Sequence, residues 1–237
     1  MAASAEGAAR RQIEPGARED QIAERRRSLL EATISVIGRD GLTGLTMKAV
    51  AEAAGCSYGV AAFHFRSKEG LLLAAYEQLL EDYETIRLAR ANTTAQGAER
   101  AICRLRAMVD SDFDGETTSV RQMAVFIAFW AESVRNEAYR ERCATVKARY
   151  NASAEQEIAA LARAQGREVD ARQAAVTLNA ICDGYWIANI VSGNTGPEGC
   201  RMGRSACLAY LDTLFPGCFT ETSPASPSSA SDTRPPK

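Results

Sequence analysis

Apolar residues recur at helical spacing along most of this chain, and long alternating Val/Ile runs are absent. The expected fold class is therefore all-α, with about nine helices. The first predicted helix covers 20–39, with Ile22, Leu29, Ile34 and Ile37, and with Ala32 and Val36, at helical positions. Gly41 follows its end, where a left-handed terminating residue is expected. Thr46 caps a two-turn helix over 47–54, which Gly55 ends. Ser57 caps a short helix to about residue 64, and Ser67 caps a long one through residue 88. The long helix shows an apolar face of Leu71, Leu72, Ala75, Leu79, Tyr83 and Ile86. Five further helices are predicted at 97–109, 117–135, 139–164, 170–192 and 199–214. Breaks fall at Asp114-Gly115, at Gly166 and in the turn-rich stretch 192–199.

These elements divide the chain into a small N-terminal unit over 20–66 and a larger helical domain over 67–216. The flanks 1–19 and 217–237 are expected to be disordered tails. The C-terminal one is rich in Ser and Pro and has no apolar face to bury.

The chain has 237 residues, 46 % hydrophobic and 24 % charged, an ordinary globular composition. No uninterrupted apolar run approaches the roughly 18 residues of a membrane span. The Ala- and Arg-rich N-terminus lacks the apolar core of a secretory signal. A cytoplasmic location is expected. The seven cysteines are odd in number and have no CxxC spacing, so they read as reduced thiols in small apolar spaces. No metal or cofactor is expected. The net charge of −2 argues against non-specific nucleic-acid binding by the whole chain, but the local balance matters more. Over 42–68 the charges are Lys48, Glu52, Arg66 and Lys68, a balance of +2, and Arg25, Arg26 and Arg27 add a basic run upstream.

The segment 46–65 reads TMKAVAEAAGCSYGVAAFHF: two short helices about a tight turn at Gly55-Cys56-Ser57. Ala51 and Ala54 are small where the helices approach. Val50, Cys56, Val60 and Ala61 supply apolar contacts. Such a unit is too small to stand alone, so the flanking helices must pack on it. An ordinary αα-hairpin in a bundle has the same spacing. A helix-turn-helix uses it to put its second helix into the DNA major groove, about 12 Å wide. Tyr58, Gly59 and Ala62 would then face base edges, and Lys48 a base or a phosphate. Ser57, His64 and Lys68 are placed for phosphates, and the helix N-termini at Met47 and Lys68 offer free N–H groups.

The flanking pattern resembles the tetracycline-repressor (TetR) family, from about Arg25 to Leu73: a first helix, then GLTGLTMKAVAEAAGCS, then FHFRSKEGLL. The resemblance implies an N-terminal module that binds operator DNA and a divergent C-terminal helical domain that dimerises and holds a small effector. It implies a DNA-facing set of Thr46, Lys48, Ser57, Tyr58, Gly59, Phe63, His64 and Lys68. Many members have Leu-Tyr or Ile-Tyr where this chain has Ala61-Ala62, so operator preference does not transfer.

Within that family the second half resembles the choline-responsive betaine regulators (BetI-like). AFWAESVRNEAYR, at 128–140, and ICDGYWIANIVSG, at 181–193, carry the likeness. Read from the residues alone, Leu178, Ile181, Cys182, Tyr185, Trp186, Asn189 and Ile190 share one side of a helix. Trp130 and Trp186, with Phe113, Phe126, Phe129 and Tyr185, could wall a pocket. Asp112 or Asp183 could supply negative charge. Aromatic walls with a carboxylate suit a quaternary ammonium ion. An aromatic stripe at helical spacing is more often plain core, which is the rival reading of the same residues.

The last two predicted helices carry Ala174, Ala175, Ala180, Ala206 and Ala209. Pairing them with their copies in a second chain would give a four-helix isologous interface and a near-palindromic operator. The resulting expectation is a dimeric DNA-binding regulator, a repressor tuned by a small molecule of the choline/betaine pathway. A sensor of a drug or other metabolite is the alternative. An enzyme is disfavoured because the one histidine, His64, lies in the DNA module, which leaves no His-based metal site and no Ser-His-Asp triad. A helical adaptor that binds no DNA is a further rival.

Overall fold

The computed structural model describes residues 15–115 and 119–220. All its regular elements are helices: α1 Pro15–Gly44, α2 Met47–Ala53, α3 Tyr58–His64, α4 Lys68–Arg90, α5 Gly97–Asp112, α6 Val120–Ser133, α7 Glu137–Gln165, α8 Ala171–Ser192 and α9 Pro197–Leu214. The three predicted caps hold. Thr46 Oγ1 accepts from Ala49 N–H at 3.0 Å, Ser57 Oγ from Val60 N–H at 3.4 Å and Ser67 Oγ from Gly70 N–H at 3.1 Å. Gly55 turns α2 into α3 with φ of 62°, a conformation a Cβ would strain.

Parts of both expected tails are ordered in the fold. Residues 15–19 belong to α1, and Phe219 is buried after the last helix, under the Arg106 guanidinium. The rest of the tails, 1–14 and 221–237, lies outside the described residues. So does residue 117, where the sixth helix was expected to begin; α6 starts at Val120, and the backbone N–H of Ser119 donates to Gln122 Oε1.

α1, α2 and α3 form the head, closed by the start of α4. Leu29, Leu30, Val36, Leu45, Val50, Ala61, Leu71 and Leu72 make its core. Ile22 is not part of it and is 41 % exposed, because α1 projects past its neighbours there. The head is also held from the other side: α1 packs on α6, with Gly38 close against Arg121. In the larger domain α7 lies between α5 and α8, and α9 packs on α8 and α5. Ala174 and Ala175 are buried in this domain, facing inward rather than toward a second chain. Ala180 and Ala209 are exposed.

α8 is the one described helix long and apolar enough to cross a membrane, with a mean hydropathy of 1.2. Its buried stripe of Leu178, Cys182 and Trp186 packs within the protein, and Asp183 on it is ion-paired.

Candidate functional site

Two sites emerge: an exposed face on the head and a cavity inside the larger domain. On the head, α3 stands outward with Tyr58 61 % and Phe63 74 % exposed. Gly59 is exposed beside Tyr58, and Ala62 is half-buried. Lys48 extends from α2 with its side chain 80 % exposed, near Glu52 at 3.8 Å, a weak surface pair that a phosphate could displace. Thr46 and Ser57 use their oxygens to cap α2 and α3, and each still has its hydroxyl hydrogen to donate. Lys68 Nζ donates to the Leu42 carbonyl at 2.8 Å, so part of its donor capacity is spent closing α1 against α4. His64 and Phe63 border an open groove with Arg18 and Arg25 of α1. Burial, then Arg26 and Arg25, hold the His64 pKa below the usual imidazole value. The basic run of α1 thus borders the α3 face.

The cavity has a volume of about 70 Å³ and lies among α4, α5, α6, α7 and α8. Five aromatic rings dominate its wall besides Trp186: Tyr76 and Tyr83 from α4, Phe126 and Trp130 from α6, and Tyr150 from α7. The two indoles stack, 6.4 Å between centroids and 13° between planes. Trp186 Nε1–H donates to the Asp112 carbonyl at 2.8 Å, which satisfies one of the carbonyls left open at the end of α5. The Asp112 carboxylate accepts from Tyr83 Oη at 2.7 Å and from Tyr150 Oη at 2.5 Å. Burial raises the Asp112 pKa, against the pull of these two hydroxyl donors. Both phenols are pushed well above their usual range, by burial first and by the facing carboxylate next. Asp183 meets Lys147, and Glu84 meets Arg87 at 2.7 Å.

Of the residues expected to form an effector site, Asp112, Phe126, Trp130, Asp183 and Trp186 share this cavity. Phe113, Phe129 and Tyr185 do not line it. Phe113 is seated against Gly203 of α9 and meets Tyr185 edge-on at 6.4 Å. Phe129 stacks on Tyr76 at 3.9 Å, away from the opening. Sequence reasoning missed Tyr76, Lys147, Tyr150 and Asn179 and took Tyr83 for plain core. A signal existed: Tyr76 and Tyr83 are seven apart, Lys147 and Tyr150 three apart, and Asn179, Asp183 and Trp186 follow one stripe of α8.

The cysteines are free thiols. Cys182 and Cys207 lie with their sulfurs 3.4 Å apart between α8 and α9, buried and unoxidised. Among the described residues no group of three or more His, Cys, Asp or Glu side chains could hold a metal ion.

Comparison with known proteins bears on both sites. Residues 29–75 match the model of bacterial regulatory proteins of the tetR family, and residues 101–216 match that of the BetI-type transcriptional repressor C-terminal domain. The HTH-type transcriptional regulator BetI of Paraburkholderia xenovorans strain LB400 is 37 % identical over 195 residues, covering 81 % of this chain and 93 % of that protein. Its counterpart from Paraburkholderia phytofirmans is 35 % identical over 193 residues, with the same coverage. Among solved structures, a transcriptional regulator from Saccharomonospora viridis in complex with choline superposes with a TM-score of 0.69 at 25 % identity, over 80 % of this chain and 96 % of that one. A regulator from Pseudomonas aeruginosa PAO1 gives 0.69 at 26 % identity, over 88 % and 95 %. This chain belongs to the tetR family of bacterial regulatory proteins, in its BetI-type branch, and is a DNA-binding transcriptional regulator rather than an enzyme.

Proposed function

We propose that this chain is a dimeric, cytoplasmic repressor whose hold on operator DNA is set by a small cation of the choline/betaine class, bound in the α4–α8 cavity. The observation that carries the reading is the wall itself: two stacked indoles and three tyrosines around a carboxylate-bearing space. Aromatic faces attract a desolvated quaternary ammonium by up to about 2 kcal/mol each. The cavity is also small. At about 70 Å³ it is roughly half the 150 Å³ that takes up benzene, which favours a small head group over a bulky drug. The choline held by the Saccharomonospora viridis relative supports the same class.

Calorimetry tests this. Choline and betaine aldehyde should give saturable heats, while the neutral isostere 3,3-dimethylbutan-1-ol should give little. Equal or absent heats for all three would sink the reading.

The DNA-facing set in this reading is Thr46, Lys48, Ser57, Tyr58, Gly59, Ala62, Phe63, His64 and Lys68, with Arg18 and Arg25 added from the α1 side of the groove. The head's reading face is short on charge, so affinity rests on phosphate contacts and on two heads per operator. Dimerisation would use the outward faces of α8 and α9. Val176, Ile187 and Val191 of α8 are 42, 46 and 83 % exposed, and Met202 of α9 is 48 % exposed. Ala180 and Gly184 between them let two helices approach closely. A paired Ile187→Asp and Val191→Asp change should give a folded monomer in sedimentation and remove tight operator binding. A dimer that survives both charges would place the interface elsewhere.

α4 couples the two sites. Tyr76 and Tyr83 line the cavity from it, while its first turn is tied to the head by Lys68 and to α7 by Tyr139 Oη, which donates to the Glu69 carbonyl at 2.9 Å. α6 is a second link, because it carries Trp130 and packs on α1. A coupling of about 1–3 kcal/mol changes operator affinity roughly 5- to 150-fold.

A further inference from the structure

Each carboxylate on the cavity wall already has a partner within the chain. Asp112 receives two tyrosine hydroxyls, Glu84 receives Arg87, and Asp183 receives Lys147. The last pair is the informative one. Lys147 Nζ lies 2.5 and 2.6 Å from the two Asp183 oxygens and 3.1 Å from Asn179 Oδ1. The same ammonium sits over Trp130, 5.0 Å from the ring centroid. It therefore combines an aromatic face with a carboxylate, which is the environment a cationic ligand needs.

This pair is a poor device for stability. Its side chains keep 34 and 30 % of their surface exposed, and ion pairs in that setting contribute little. It is a good device for competition. The ammonium is on a four-carbon stem that can swing out while its α7 backbone stays in place, and an ammonium is easily rehydrated. A quaternary ammonium is weakly hydrated and leaves water at smaller cost.

We propose that Lys147 is an internal competitor for the cation site: a cationic ligand reaches the Trp130 face and Asp183 by displacing the Lys147 ammonium. This rests on the cationic-ligand reading above and deepens it. The displaced bond runs from α7 to α8, so ligand entry replaces a bridge between these two helices with contacts to the ligand. Lys147 also sets specificity. Ligands with a strongly hydrated primary ammonium gain no advantage over the lysine, whereas a methylated ammonium does.

The test uses the full chain and choline as the probe, with 3,3-dimethylbutan-1-ol as the neutral control. Lys147→Met keeps the stem and removes the charge. It should bind choline at least about tenfold more tightly than the wild type, with the neutral control unchanged. Lys147→Arg should stay near the wild type. On the unaltered protein, saturating choline should raise acetylation of Lys147 by an amine-reactive reagent, read by mass spectrometry, and this readout is independent of how any variant folds. Equal or weaker choline binding by folded Lys147→Met, or labelling that choline leaves unchanged or lowers, overturns the proposal while the cationic pocket stands. Choline binding by neither wild type nor Lys147→Met overturns both.

Discussion

Replacing Lys48 and Tyr58 together by alanine is expected to lower operator affinity by about a thousandfold and to leave folding untouched. Each good base or phosphate contact contributes roughly 1–3 kcal/mol. A dimer makes every contact twice, so even the lower value gives about 4 kcal/mol for the double variant, and each 1.4 kcal/mol is tenfold. The stability side of the prediction follows from exposure. Tyr58 is 61 % exposed and the Lys48 side chain 80 %, and such surface changes stay within about 0.5 kcal/mol. Anisotropy titration against the DNA upstream of the chain's own gene measures the loss, and sedimentation with a thermal melt checks the rest. Full operator affinity in the double variant would remove these two residues from the reading set.

The same experiment should be run across salt. With so few charges on α3 itself, binding depends on the flanking cations, among them Arg18 and Arg25 at the groove beside His64. Affinity should therefore fall steeply as salt rises, since each neutralised phosphate releases counterions. Phe63 adds a different term. A phenyl ring left 74 % exposed on the helix proposed to face DNA suits apolar contact with a thymine methyl.

Most of the helical frame is legible in the sequence because its signals are local. Thr46, Ser57 and Ser67 are caps whose hydroxyls can be placed without knowing the tertiary structure, and Gly55, Gly166 and Gly193 mark turns for the same reason. The cavity was legible only by halves. Asp112 faces it, and the adjacent Phe113 goes into the core against Gly203. Trp130 faces it, and Phe129 turns toward α4. Trp186 faces it, and Tyr185 does not. All three residues that do not line it are the sequence neighbours of residues that do. Successive side chains on a helix point about 100° apart, so an aromatic pair is split between two environments. Which member goes inward depends on how the helix is rotated against its neighbours, and that is a tertiary fact. Lys147 and Asn179 were harder to read for another reason: their spacing places them on the right stripes, but a lone polar residue on a long helix reads as solvated surface until a partner such as Asp183 is known.

Phe129→Ala is the sharpest test of that split, and it should lower stability by about 3–5 kcal/mol. The ring is fully buried. It stacks on Tyr76 at 3.9 Å with 2° between planes, and it meets Tyr139 at 4.4 Å. It thus joins α6 to α4 on one side and to α7 on the other, and its removal leaves a space that three helix backbones cannot all close. For a domain of this size each kcal/mol moves the melting midpoint by roughly 2–4 °C, so a fall of about 6–20 °C is expected. Trp130→Ala should do the reverse. Trp130 is only partly buried and faces the cavity, so its loss should spare most of the melting temperature and remove choline binding. The two residues are adjacent in sequence and both aromatic, so hydrophobicity alone predicts similar effects. If Phe129→Ala melts like the wild type, or if Trp130→Ala keeps choline, the assignment of one ring to packing and the other to recognition is wrong. The order matters for coupling too. Phe129 backs Tyr76, which lines the cavity from α4, so the core ring holds in place the aromatic face through which a bound cation would act on the DNA head.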